Sequence, residues 1–234
     1  MQLSKRLWTV CHMIRQGQVL ADVGTDHGYI SIYLVQEQIC KRAIALDIRR
    51  GPLERAKEHI RQYGLEEKIT TRLSDGVQAL EDGEADCMIA AGMGGALTIH
   101  IMEDGAKKIA GMKECILQPQ SEIARVRDYL WKHNYTIAEE AIVLEDGKFY
   151  PMMRIIPGVH QEIEQELYEL YAQFGQFLLQ NKDPVLRQYA EKELKTRQQL
   201  IERLQEQLDK NAERLNELRR EEALFQQALS MLDE

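Results

Sequence analysis

The sequence predicts an α/β fold, with a mostly parallel, doubly wound sheet of seven strands followed by a separate helical domain of coiled-coil character. Three observations carry that prediction. Five short apolar runs alternate with helical patterns over residues 1–133. Two longer strand patterns then flank an Asp-Gly turn, a strong short-range signal for a hairpin. From Val185 onward the chain contains neither Gly nor Pro and carries apolar residues at seven-residue spacing.

The elements follow in order. Leu3, Leu7, Val10, Cys11 and Ile14 fall on one face of a first helix, which Ser4-Lys5-Arg6 opens and Gly17 stops. Strands are predicted at 19–23, 43–48, 69–73, 85–91 and 115–117, and helices at 29–36, 52–63, 96–101 and 122–133. Pro52 suits the first turn of its helix and Gly64 the stop. The hairpin pairs 136–144 with 149–155 across Glu145-Asp146-Gly147-Lys148. Units of strand and helix that close in an antiparallel hairpin make a doubly wound sheet. By analogy of fold, seven strands so arranged match the Rossmann-like class I methyltransferase architecture.

Pro157-Gly158 closes this domain, so the expected domains are 1–158 and 159–234. In the second, Ile163, Leu167, Leu170, Phe174 and Phe177 have helical spacing, and 181–184 is a break. Leu194, Ile201, Leu208 and Leu215 form one heptad series; Leu204, Leu218 and Phe225 form another, with Asn211 inside it. The two lie three apart, as a and d positions do, and Arg197 and Glu222 interrupt the seam. The simplest arrangement packs the first tail helix against one long helix. A dimeric coiled coil is the alternative, so the expected state is a monomer or a weak homodimer.

Charge and cysteine content narrow the chemistry. The net charge of −8 divides into −2 over residues 1–158 and −6 over the remainder. So acidic a tail is no obvious nucleic-acid platform. The near-neutral front half can hold local basic patches, for which Lys5, Arg6, Arg15, Arg49, Arg50, Arg55, Lys57 and Arg61 are candidates, although a solvated surface is the plainer reading. Cys11, Cys40, Cys87 and Cys115 are scattered among apolar neighbours, with no spacing that suggests zinc, and read as buried reduced thiols. No apolar run approaches the roughly 18 residues of a membrane helix. A cytoplasmic protein without metal is expected.

Five strand-end segments could carry chemistry. Asp22-Val23-Gly24-Thr25-Asp26-His27-Gly28-Tyr29 joins the first strand to a helix, where glycines allow a sharp turn and close ligand approach. Dinucleotide enzymes place pyrophosphate at this turn, and Asp26 would repel it. The cation S-adenosylmethionine has no phosphate, and Asp22 and Asp26 can face its positive groups. Asp47 ends the second strand, 19 residues after Gly28, where a carboxylate can accept from two ribose hydroxyls. Asp75-Gly76, after Ser74, can meet an adenine amino group or serve as an ordinary turn. Ala91-Gly92-Met93-Gly94-Gly95 stands where amino-group methyltransferases usually have an Asp/Asn-Pro-Pro-aromatic motif. That motif is absent, which suits a ring nitrogen with a free lone pair, since it has no proton to lose. Gln118-Pro119-Gln120 offers carboxamides to a base edge.

Together Ser4-Lys5-Arg6-Leu7, the 22–29 loop, Ala45-Leu46-Asp47-Ile48 with Gly51-Pro52-Leu53, Ser74-Asp75-Gly76, the 91–95 loop and Leu117-Gln118-Pro119-Gln120 resemble the bacterial TrmK family. Its members methylate N1 of the adenine at tRNA position 22, in the D-stem region. The resemblance runs through about residues 2–158, and the tail resembles that family's coiled-coil domain. It implies S-adenosylmethionine as methyl donor and tRNA as acceptor, with cofactor contacts at Gly24, Asp26, Gly28, Asp47, Ile48, Asp75, Gly76 and the Ala91, Gly92, Met93 and Gly94 loop. Asp22, Thr25 and His27 belong to the same loop. On this reading Asp26, Met93 and Gln118 hold the base, while Lys5, Arg6, Arg49, Arg50, Gln118 and Gln120 meet the RNA. Two other readings stay open: a methyltransferase with a small-molecule or protein acceptor, and a non-enzymatic scaffold with a relict Rossmann-like domain.

Overall fold

A computed structural model describes residues 1–14, 18–205 and 208–233 of the protein, and two compact units divide it, residues 1–162 and 163–234. The first unit contains strands β1 (Gln18–Val23), β2 (Cys40–Asp47), β3 (Ile69–Leu73), β4 (Cys87–Met93), β5 (Glu114–Pro119), β6 (Tyr135–Glu145) and β7 (Lys148–Pro157). They form one sheet in the order β3-β2-β1-β4-β5-β7-β6. β3 to β5 pair in parallel, and β7 runs antiparallel to both β5 and β6. The winding reverses between β1 and β4, and in open α/β sheets ligands gather at the carboxyl side of that point.

The burial of the inner strands explains why they read as unbroken apolar runs. All of β5 is buried, as are the last five residues of β2, because helices cover both faces of a parallel sheet. The hairpin forms on Asp146 and Gly147, whose φ of 49° and 74° are both left-handed, as a primed two-residue turn requires. Around the sheet lie α1 (Lys5–His12), α2 (Tyr29–Gln36), α3 (Arg50–Gln62), α4 (Gly95–Asp104), α5 (Ala106–Ile109) and α6 (Ile123–Lys132). The Ser4 hydroxyl caps α1 by accepting from the Leu7 amide at 3.3 Å. Gly17, the expected stop of that helix, lies outside the described residues, as does Arg15. The one-turn helix α5 was not expected from the sequence. All four cysteines are buried and free.

The second unit corrects one expectation. In place of one long helix from Val185 there are two, α9 (Pro184–Gln205) and α10 (Leu208–Asp233), preceded by α7 (Tyr168–Phe174) and α8 (Gln176–Gln180). α9 and α10 run antiparallel, tied by Arg187–Asp233 at 2.7 Å near one end and Arg197–Glu221 at 2.8 Å further along. Ile201, Leu215 and Leu218 bury one another with Leu204 against them, so these heptad residues find partners within the chain. Arg197, which interrupts the pattern, lays its guanidinium over the Phe225 ring at 4.2 Å and pairs with Glu193 and Glu221. The side chains of Leu208 and Asn211 lie outside the described residues.

Candidate active site

The first wall of the site is the loop after β1. Its Gly24 and Thr25 amides both donate to the Leu46 carbonyl, at 2.8 and 2.9 Å, which folds the loop over the end of β2. Gly24 has φ 71°, and a Cβ there would collide with the Met93 methyl. Gly28, also left-handed, starts α2 and packs toward Ala56. Asp22 is buried beneath the loop, where its Oδ2 accepts from the Thr25 hydroxyl at 3.0 Å and the Ser31 hydroxyl at 2.7 Å. Asp26 is two-thirds exposed and ion-paired with Arg55 at 3.1 Å, with His27 Nε2 at 3.4 Å.

Burial pushes the Asp22 carboxyl above the ordinary carboxylate range, against the pull of the two hydroxyls. The folded protein therefore holds this proton more tightly than the unfolded chain. The contribution to stability is greatest at low pH and is lost as pH rises through the raised value. Asp22→Asn keeps an accepting oxygen and carries no charge. It should melt at or above the wild-type temperature at neutral pH, with the difference vanishing near about pH 4. Thermal melts across this range check it, and a variant less stable than wild type only at neutral pH contradicts it.

The second wall is built by β2 and β3. Asp47 is 6% exposed, and its Oδ1 accepts from the Arg49 amide at 2.7 Å. Ile48 presents 62% of its surface at the rim. The Ser74 amide donates to the Asp47 carbonyl at 2.9 Å. Its hydroxyl donates to the Gly76 carbonyl at 2.9 Å and accepts from the Ala79 amide at 3.0 Å, tightening the turn that carries Asp75.

The third wall joins the ends of β4 and β5. The pairing register shifts between Ala91 and Met93, where Gly92 takes φ 81°. This bulge aims the Gly92 amide at Gln118 Oε1, 3.2 Å away. The Gln120 amide then donates to the Met93 carbonyl at 2.7 Å. Gly94, the N-cap of α4, has no side chain to offer the helix end. The next loop supplies the missing acceptors: Ser121 Oγ for the Gly95 amide at 3.2 Å and Glu122 Oε2 for the Ala96 amide at 3.1 Å. Arg6 reaches in from α1, donating from Nη1 to Gln118 Oε1 at 2.9 Å.

These walls enclose a cleft of about 540 Å³. Gly24, Asp26, Asp47, Ile48, Asp75 and Gly76 line one side; Ala91, Gly92, Met93 and Gly94 line the other, with Arg6, Arg49 and Gln120. Asp22, Thr25 and His27 border a cavity of about 170 Å³ that shares Arg6, Gly24, Asp26 and Ala91 with the cleft. Lys5 and Arg50 are exposed and line neither cavity, nor does Gly28. Gln118 is fully buried, so its carboxamide is not presented to a base. Ser74, Leu97 and Ile101 also line the cleft, although the sequence pattern did not mark them as site residues. Only the i, i+4 spacing of Leu97 and Ile101 just after the glycine loop hints at that placement.

Residues 3–153 match a family model described as a methyltransferase domain. Over 222 residues the chain is 36% identical to the tRNA (adenine(22)-N(1))-methyltransferase of Bacillus subtilis, covering 93% of each protein. The crystal structure of the tRNA methyltransferase TrmK of B. subtilis is similar at a TM-score of 0.86 and 34% identity, over 97% of this chain and 99% of that one. A Streptococcus pneumoniae protein in complex with S-adenosyl-L-methionine reaches 0.87 at 31% identity, over 97% and 100%. The match to the methyltransferase-domain model, on a Rossmann-like sheet with this cleft at its switch point, makes residues 3–153 a class I methyltransferase domain. Within that class, the chain belongs to the TrmK family of tRNA (adenine(22)-N1)-methyltransferases.

Proposed function

We propose that the protein transfers a methyl group from S-adenosylmethionine to N1 of an adenine in tRNA, at position 22 in the D-stem region, and that it does so in the cytoplasm. The observation that carries this reading is the make-up of the cleft. Carboxylates stand at the carboxyl ends of the first three strands, and β4 ends in a loop that offers backbone and Met93 in place of a proton acceptor.

The cleft suits that cofactor. Its volume falls within the roughly 300–1,000 Å³ of small-molecule sites. Asp26, Asp47 and Asp75 give it negative charge, and the missing side chain at Gly24 leaves room against Met93. When bound, the cofactor supplies a methyl group on a cationic sulfur. Asp47 accepts from the ribose hydroxyls, and Ile48, Asp75 and Gly76 hold the adenine end. The Asp22–Gly28 loop, with Thr25 and His27, holds the amino-acid arm, and Ala91 to Gly94 back the sulfur.

Adenine N1 is hidden by pairing in a duplex, so the base leaves its stack to react. N1 has a lone pair and no proton to lose, so the task left to the protein is orientation. Asp26, Met93 and Gln120 hold the ring in line with the methyl. Arg49 and Arg6, with Lys5 and Arg50 on the surface outside the cleft, meet phosphates. Arg49 is 76% exposed at its side chain. Arg49→Ala should weaken tRNA binding across all sequences and lower the salt slope by about 1. Filter binding over a salt series checks this, and an unchanged slope removes Arg49 from the interface.

We assign the catalytic domain to residues 1–158 and a helical coiled-coil domain to 159–234, which touches tRNA through a few basic side chains. Because the α9 and α10 seam residues bury one another, the reading favours a monomer or weak homodimer. Among the described residues, no helix is long and apolar enough to cross a membrane, and no cluster of His, Cys, Asp or Glu could hold a metal ion. The decisive experiment is transfer of labelled methyl from S-adenosylmethionine to purified tRNA, with the product nucleoside identified by mass spectrometry. N1-methyladenosine in the D-stem region supports the reading. Cofactor binding without transfer to tRNA sinks it.

A further inference from the structure

We propose that Gln118 is a positioning residue for acceptor binding, which fixes the Arg6 guanidinium at the mouth of the cleft through a single buried oxygen. The inference rests on the reading of Arg6 as a phosphate contact. Gln118 lies at the end of β5 with no exposed surface, so it acts on RNA only through a neighbour.

Its Oε1 accepts two hydrogen bonds, from Arg6 Nη1 at 2.9 Å and from the Gly92 amide at 3.2 Å. Its Nε2 donates to the Pro119 carbonyl at 3.2 Å, which sets which way the carboxamide faces. Arg6 is held at three points. Its amide donates to Glu145 Oε1 at 3.2 Å, its guanidinium lies over the Tyr150 ring at 5.4 Å, and Nη1 meets Gln118. A Cβ on Gly92 would lie 3.6 Å from that same Nη1, so the cation rests on the bulge itself. The guanidinium carries five N–H donors and spends one here, leaving a fork that matches a phosphate. An arginine already ordered loses less freedom on binding than a mobile one. Through one atom, Gln118 couples the place of this cation to the loop against which the base would react.

The test compares Arg6→Ala, Gln118→Leu, Gln118→Glu and the Arg6→Ala/Gln118→Leu double variant. It measures tRNA affinity over a salt series, cofactor affinity by calorimetry, and folding by thermal melts. Gln118→Leu should weaken tRNA binding about tenfold and lower the salt slope by about 1, as Arg6→Ala does, with cofactor affinity held within about threefold. The double variant should bind no more weakly than Arg6→Ala alone, because both changes remove one contact. Gln118→Glu keeps an accepting oxygen and should still order Arg6, but it neutralises the cation and sets an oxygen against the Pro119 carbonyl, so it should not restore the tRNA affinity or slope. A role in packing alone would lower melting temperatures without moving the slope. Wild-type affinity and slope in Gln118→Leu, or additive losses in the double variant, overturn the proposal. Side-chain NMR of Arg6 without RNA reads the positioning directly, with Nη hydrogens protected in the wild type and exchanging freely in Gln118→Leu. If the wild type binds no tRNA, the functional reading fails by itself, and the positioning role stands or falls on that spectrum.

Discussion

Asp47→Ala should lower the affinity for S-adenosylmethionine by about 100-fold, because two hydrogen bonds to one charged acceptor are lost. The carboxylate is nearly buried at the end of β2, on the wall of the cleft, and its described contacts involve Oδ1 alone. That geometry suits a pair of adjacent hydroxyls, which reward a rigid acceptor more than a mobile one. Part of the effect is indirect. Oδ1 also accepts from the Arg49 amide, so alanine frees the turn between β2 and α3. Asp47→Asn separates the two contributions. It can retain the bond to Arg49 and offers one poorer acceptor to the ribose, so its loss should be about tenfold. Calorimetric titration of both variants checks the order. Wild-type affinity in Asp47→Ala would remove the ribose assignment, whatever the melting temperatures.

The parts of this protein that the sequence displays plainly are those set by local pattern. Inner strands such as β5 read as apolar runs because both faces are covered, and the primed turn at Asp146-Gly147 is written in two residues. The parts it hides depend on distant partners. In the sequence Gln118 follows the apolar run 115–117 and is polar, which suggests an exposed carboxamide. Its burial follows from Arg6, 112 residues earlier, and from the bulge at Gly92. Asp22 and Asp26 look alike in the motif. Thr25 and Ser31 claim the first from beneath the loop, and Arg55 pairs with the second on the surface. In the tail, a heptad pattern records that a seam is buried without recording what covers it. No Gly or Pro separates the α9 sequence from that of α10, so two helices read as one.

Gly95→Ala is the substitution for which propensity and packing disagree most sharply. Gly95 is the first residue of α4 and has no left-handed φ, so alanine alone would favour the helix by about 1 kcal/mol. Its Cβ, however, would collide with the Ser121 carbonyl oxygen and lie 2.8 Å from Glu122 Cβ. A backbone carbonyl cannot rotate away as a side-chain end can. Either the loop at 121–122 retreats or α4 does, and both movements break the bonds from Gly95 to Ser121 and from Ala96 to Glu122. The expected cost is about 2–4 kcal/mol of stability. The rate should fall as well, because Gly92, Met93 and Gly94 are carried by the same connection and line the cleft. Loss of alignment there should lower the single-turnover rate by about 100-fold. Gly111→Ala is the matched control. Its Cβ would have its nearest neighbour at 3.5 Å, an ordinary contact, and it should melt and turn over as wild type does. If Gly95→Ala matched this control in both measurements, the two loops would be free to part, and the rigid wall attributed to β4 and β5 would have no role in holding the base.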